Sequence, residues 1–434
     1  MSDVGDGDGM DGTRIAFDSK DEMIAKSKEF WNPDKTQFWM DSGVSLVIDR
    51  REGYFIYDVS GKRLIDVHLN GGTYSLGHRN PEVVQAVTAA MQYFDIGNHH
   101  FPSLARTALA EALVSSAPLG ITKVIYGSGG GEAIDIALKT ARHATQRRKI
   151  VSIVKAYHGH TGLAVAAGDD RFASLFLSDN PDEFPHVPFN DLDAMEQALR
   201  GRDVAAVIME TIPATYGFPL PEPGYLEGVK ALCERYGSLY IADEVQTGLM
   251  RTGELWAITK HGITPDILVT GKGLSGGIYP ITAVLATEQA AGWLTEDGFG
   301  HMSTFGGAEL GCIAALKTLE ISCRTETRSM VHYIADLLGR GLRRIQESYP
   351  DWFVGIRQNG VVMGLEFDHP QGAKYVMKHL YENGVWAIFS TLDPRVLQFK
   401  PGILMTPDLC DELLERMEVG IEHARKEVRK GAHW

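Results

Sequence analysis

A chain of 434 residues exceeds one ordinary hydrophobic core, so two domains are expected, and its 44% hydrophobic content is enough to fill both. No apolar run approaches the length that spans a bilayer, and the N-terminus lacks the basic-then-apolar layout of a secretory leader, which makes a cytoplasmic enzyme the default. The formal charge of −14 argues against a nucleic-acid partner.

In chain order, the opening Met1–Gly12 is acidic, glycine-rich and nearly free of bulky apolar residues, and residues 1–30 are expected to form a disordered tail. Its Asp-x-Asp-Gly text lacks the spaced ligands and closing Glu of a calcium loop. Residues 31–80, with Tyr54–Tyr57 and Leu64–Asp66, read as a small meander of strands. From Pro81 onward, helical periodicity alternates with short apolar strands at Val124–Tyr126, Ile150–Ile153, Ala205–Met209, Leu239–Ala242 and Ile267–Thr270. Continuous apolar strands separated by amphipathic helices predict a largely parallel sheet covered on both faces. The basic group Arg147-Arg148-Lys149 reads as a solvated helix end. After about Ile321 the pattern turns to long helices such as Arg328–Ser348, followed by a strand at Val361–Phe367. Four cysteines, Cys233, Cys312, Cys323 and Cys410, lie far apart with no metal-ligand spacing, so neither disulfides nor a metal site are expected.

Two residues carry the chemistry. Lys272 is delivered by the strand Ile267–Thr270 into a glycine-rich turn, and Asp243 by the strand Leu239–Ala242. Ligands of parallel sheets bind at the C-terminal ends of strands, where both residues fall. A lysine that condenses with an aldehyde, and a carboxylate that keeps a pyridine nitrogen protonated, are what pyridoxal phosphate requires. Gly129, Gly130 and Gly131 follow the strand Val124–Tyr126 and precede the amphipathic run Ala133–Arg142, so a glycine turn opens a helix whose free N–H groups would cradle a phosphate.

Five stretches occur together and in order: Gly127-Ser-Gly-Gly-Gly-Glu-Ala133, Tyr157-His-Gly-His-Thr-Gly162, Ala242-Asp-Glu-Val-Gln-Thr-Gly248, Thr270-Gly-Lys-Gly-Leu-Ser-Gly-Gly277 and Ser303-Thr-Phe-Gly-Gly307. On these the chain resembles the class III aminotransferases, fold-type I pyridoxal phosphate enzymes, from about Trp39 to the C-terminus. The resemblance implies an α/β large domain with a mainly parallel seven-stranded sheet over residues 81–325. It also implies a small α+β domain built from residues 31–80 and 326–434. Lys272 and Asp243 are then the catalytic residues. Tyr157 and Val245 flank the cofactor ring, Gln246 reaches its phenolic oxygen, and His158 and Glu210 lie beside it. Thr304 would serve the phosphate in the neighbouring subunit, which implies a homodimer with shared active sites. The substrates would be a small-molecule amine or amino acid and an oxo acid, with racemases, decarboxylases and amino-alkyl phosphate lyases as alternatives on the same scaffold.

The chain also departs from that family. Gln398 occupies the place of a carboxylate-binding arginine, and Thr215 that of a switch glutamate which pairs with it. His160 stands where members acting on γ-aminobutyrate carry an arginine, and Gly131 where a serine or threonine is usual. An amide replaces neither the charge nor the fork of a guanidinium. A pyruvate-like acceptor is therefore favoured over 2-oxoglutarate. Lys400 and Arg395 are candidate substitute cations, although each is a residue type more often found at the surface. Trp39, Tyr74, Phe101 and Tyr216 are either an apolar substrate pocket or ordinary packing.

Overall fold

The computed structural model describes residues 15 and 17–431. The proposed tail over Met1–Gly12 lies outside the described residues. The disorder expected through residue 30 does not extend over Lys20–Phe30, which is a helix. Ser19 caps it by accepting from Glu22 N–H, acidic Asp21 and Glu22 lie in its first turn and Lys28 in its last, so local capping and charge stabilise a helix that buries no side chain.

The apolar strands assemble into one seven-stranded sheet. Its spatial order is Ile121–Gly127, Thr282–Thr287, Ile267–Thr270, Leu239–Asp243, Val204–Glu210, Lys149–Ile153 and His186–Val187. All pairings from Ile267–Thr270 to His186–Val187 are parallel. Thr282–Thr287 runs antiparallel to both of its neighbours. The connection into this strand explains its direction. Between Thr270 and Thr282 there is only the tight 3-10 turn Lys272–Ser275 and no crossover helix, and parallel pairing needs a longer crossover.

Every residue of Val204–Glu210 is buried, as a strand covered on both faces requires. From Ala206 onward along these strands, alternate side chains enter opposite faces. Val207, Met209, Tyr240, Ala242 and Leu268 enter one core with Leu109 and Leu226, while Ala206, Ile208, Ile241, Ile267 and Val269 enter another with Ala137 and Leu138. The predicted helix Ala133–Arg142 lies within Gly130–Thr145, and Arg328–Ser348 within Thr325–Ser348. Arg147, read as part of a solvated end, instead donates to the carbonyls of Val204, Tyr236 and Gly237, tying three chain segments together.

Two four-stranded sheets stand beside the large one. The first comprises Ile48–Glu52, Phe55–Asp58 and Arg63–Asp66, to which Val385–Trp386 adds in parallel. The second has the order Phe353–Asn359, Val362–Phe367, Asp393–Phe399 and Ile388–Ser390, all antiparallel. One apolar core joins both sheets to the helices Thr325–Ser348, Gly372–Glu382 and Pro407–Arg429 through Leu64, Leu365, Phe399, Leu380 and Leu413. No helix among the described residues is long and apolar enough to cross a membrane. Cys233, Cys312 and Cys410 are buried free thiols, and Cys323 is an exposed one.

Candidate active site

The parallel strands end together. Register places Glu210 opposite Asp243 and Asp243 opposite Val269, so the three strand ends open on one edge of the sheet. A cavity of about 360 Å³ lies there, lined by Gly130, Gly131, Tyr157, His158, Glu210, Asp243, Val245, Gln246 and Lys272, among others. Ten of the eleven predicted site residues thus meet around this cavity, either lining it or, for Gly129, capping the helix that opens on it. Thr304 does not: it is exposed, in a loop away from the lining.

Asp243 is 5% exposed, and its carboxylate is held from two sides. Val245 N–H donates to Oδ1 at 3.0 Å, and Oδ2 lies 2.8 Å from His158 Nδ1. The other ring nitrogen of His158, Nε2, is buried without a partner. Lys272 opens the turn Lys272–Ser275 with φ 42°, left-handed backbone that a side-chain-bearing residue adopts only under constraint. Ser275 Oγ supplies part of that constraint by donating to Lys272 carbonyl at 2.7 Å. Burial lowers the pKa of the Lys272 amine, Asp243 and Glu210 pull it back up, and Arg251 lowers it further.

Glu210 accepts from Tyr157 N–H at 3.0 Å and Ala214 N–H at 3.1 Å, and so fixes the loop that carries Tyr157. Burial pushes its carboxyl up to about 7, with His158 opposing that rise and Asp243 adding to it. Burial likewise raises the Tyr157 hydroxyl. The Tyr157 ring meets His160 edge-on at 5.3 Å, and His160 in turn meets Phe172 at 4.9 Å.

Gly129 caps the helix Gly130–Thr145 in extended conformation, leaving the first-turn N–H groups of Gly130 and Gly131 directed at the cavity end without intrahelical partners. Gly131 is also a place of close approach. A Cβ on it would stand 2.6 Å from Thr161 Oγ1, so the hydroxyl side chain usual at this position would require Thr161 to shift. Thr161 lines the cavity and donates to Asp135 Oδ2 at 2.8 Å; sequence reasoning missed it, and the unusual glycine at 131 was the available signal.

This donor set fits pyridoxal phosphate. A buried, pre-oriented carboxylate suits a ring N–H, Gln246 Oε1 is buried and lacks a partner, and the glycine-opened helix offers free N–H groups to a phosphate.

The class-III aminotransferase family model matches residues 39–421. The chain belongs to the class-III aminotransferases, and its cofactor is pyridoxal phosphate. An uncharacterized aminotransferase from Archaeoglobus fulgidus is 41% identical over 405 residues, covering 93% of this chain and 95% of that protein. The ornithine aminotransferase from Toxoplasma gondii, in a structure with partial pyridoxal phosphate occupancy, is 26% identical with a TM-score of 0.82, covering 95% and 100% of the two chains. A transaminase from the marine bacterium Virgibacillus superposes with a TM-score of 0.87 at 24% identity over 94% of this chain and 100% of its own, a likeness of fold. These relatives are fold-type I enzymes, as is this aminotransferase.

The departures from the family also have positions. Lys400, expected at a surface, is fully buried, and its Nζ donates to Gln398 Oε1 at 2.5 Å. The strand Asp393–Phe399 ends just before it and its N–H bonds Val67 carbonyl, which draws the side chain inside. Arg395 does sit at the surface, paired with Asp393 and Glu366. Thr215 Oγ1 is buried without a partner. None of Trp39, Tyr74, Phe101 and Tyr216 lines the cavity. Trp39 packs on Trp386, Tyr74 on His78 and Tyr216 under Lys155, while Phe101 is exposed.

Proposed function

We propose that this aminotransferase moves an amino group from an amine or amino acid to a small, pyruvate-like oxo acid, with Lys272 as the cofactor-bearing amine and Asp243 as the partner of the ring nitrogen. The observation that carries this reading is the convergence of Lys272 and Asp243, from two paired strands, on one glycine-rimmed cavity. When bound, pyridoxal phosphate supplies an electrophilic aldehyde and an electron-withdrawing ring.

The protein does the rest. Burial favours the neutral amine of Lys272, so the released Nζ is a base able to take a proton from the substrate carbon and return it elsewhere. His158 and the Val245 N–H hold the Asp243 carboxylate in one orientation, which keeps it ready to accept the ring N–H. Tyr157 and Val245 would bracket the ring, Gln246 would be the hydrogen-bonding group for its phenolic oxygen, and Gly129–Gly131 would present the phosphate cradle. Glu210 acts by fixing the Tyr157 loop. Mutation of Lys272 to Ala is expected to abolish turnover while the protein folds and binds cofactor noncovalently; turnover by Lys272→Ala would remove the assignment.

The acceptor preference rests on Gln398 and Thr215, which together lack the charges of a dicarboxylate switch. Comparison of kcat/KM for pyruvate and 2-oxoglutarate tests it, and equal or better use of 2-oxoglutarate would contradict it. Exposure of Thr304, next to the exposed Phe305, supports a homodimer in which Thr304 serves the partner's phosphate. Within each chain, residues 81–325 are assigned as the cofactor-binding domain, and 31–80 with 326–434 as the small domain. A cytoplasmic location completes the reading.

A further inference from the structure

We infer that Arg251, Lys400 and His68 form a subsite for one carboxylate of the substrate, immediately beside Lys272. The inference rests on the proposed role of Lys272 and names the anchor that its substrate would use.

Arg251 is 2% exposed, yet its Nε, Nη1 and Nη2 are all buried without a hydrogen-bond partner. Lys400 is fully buried, and the partner of its Nζ is the neutral amide of Gln398. Neither Arg251 nor Lys400 forms an ion pair among the described residues. Asp66, the acid near Lys400, is already committed: Oδ1 accepts from the N–H groups of His68 and Leu69, and Oδ2 bonds His78. His68 lies within electrostatic reach of Lys400, Lys272 and Arg251 together, and its Nδ1 is also buried and unpartnered. A buried guanidinium with no ion-pair partner is destabilising unless an anion joins it. Burial beside Lys272 and Arg251 drives the Lys400 amine toward its neutral form unless the same anion restores its charge, and a native protein rarely leaves so many donors unpaired.

The roof over these groups locates the anion. Leu69, Asn70, Gly71 and Gly72 have φ of 49°, 48°, 71° and 96°, a run of left-handed backbone. A Cβ on Gly72 would stand 3.2 Å from Arg251 Nε, and one on Gly71 3.0 Å from Lys272 Cε. Arg251 and Lys272 therefore lie side by side beneath one turn. An anion held by the guanidinium fork is a close neighbour of the lysine amine, where a substrate's amino group must sit. A planar carboxylate matches the fork and leaves an oxygen for Lys400. Gln398 then acts as a positioning residue that aims Lys400, and a single subsite of this kind suits a monocarboxylate.

The test measures binding to the holoenzyme of propionate and of its neutral isostere propionamide, with the wild type, Arg251→Gln and Lys400→Met, by calorimetry. Saturable propionate binding that weakens about ten- to a hundredfold in each variant, with propionamide unaffected, is the expected result. If Arg251→Gln does not fold, Lys400→Met carries the test alone. Absent propionate binding in the wild type, unchanged binding in the variants, or displacement of propionate by chloride at equal concentration would each overturn the subsite. Borohydride mapping of the same preparations separates the two readings. Cofactor fixed on Lys272 with no effect on propionate refutes the subsite alone, whereas cofactor fixed elsewhere refutes the Lys272 assignment.

Discussion

Asp243 and Glu210 are neighbouring carboxylates at adjacent strand ends, and their surroundings give them different tasks. Asp243 is gripped by an imidazole and a backbone N–H; removing its charge while keeping its shape isolates its electrostatic part. Asp243→Asn is expected to lower kcat by about a hundred- to a thousandfold, the scale seen when a preorganised electrostatic contact is removed, with little change in melting temperature. Steady-state kinetics checks the first and calorimetry the second. Glu210 has its folded pKa raised from 4.5 to about 7 by burial. The native state therefore binds this proton more tightly than the unfolded chain does. Its contribution to stability is full below about pH 4.5 and is lost as the pH rises through about 7, a change of roughly 3 kcal/mol in the cofactor-free protein. Glu210→Gln should flatten the dependence of unfolding free energy on pH across this window, as read by denaturant titration at pH 5, 6, 7 and 8. An unchanged slope would show that the carboxylate is ionised throughout.

Two short turns position the lysine: Lys272–Ser275, which bends its backbone, and Leu69–Gly72, which covers its side chain. Gly71→Ala introduces a Cβ at φ 71° and 3.0 Å from Lys272 Cε. It is expected to destabilise the fold by about 1–2 kcal/mol and to reduce kcat far more than a comparable change at the exposed Gly431, which has nothing within 4 Å. Thermal unfolding and turnover measured on both variants decide this. Sequence patterning revealed the first turn but not the second. Lys272 stands in a strand-then-glycine text that periodicity can detect, whereas Leu69–Gly72 is a turn whose importance comes from what lies beneath it. The same limit hid Arg251. It follows Leu249 and Met250, and a charge closing an apolar run was the local clue, but its lack of partners is a property of the packed chain. Five of the seven strands of the large sheet announce themselves by β-branched runs between amphipathic helices. His186–Val187 is two residues long, and Thr282–Thr287 follows no helix, so neither carries that signal.

At the scale of the whole molecule, the cavity gathers its groups from strand ends, a helix start and two turns, but lacks Thr304, which one chain leaves exposed. If the partner completes the site, mixing inactive Lys272→Ala chains with inactive Thr304→Val chains should restore part of the activity, because one site of each heterodimer then holds both intact groups. Demonstrated heterodimers without activity would count against sharing. The central claim is that the strand ends deliver Lys272, and not another lysine, to the cofactor. Lys400 makes this a demanding claim, since it is also buried, also depressed in pKa by burial, and close by. Borohydride reduction of the holoenzyme followed by peptide mapping discriminates between them directly. The account predicts that the cofactor is fixed on the peptide containing Lys272; its recovery on Lys400, or on any other lysine, would contradict it.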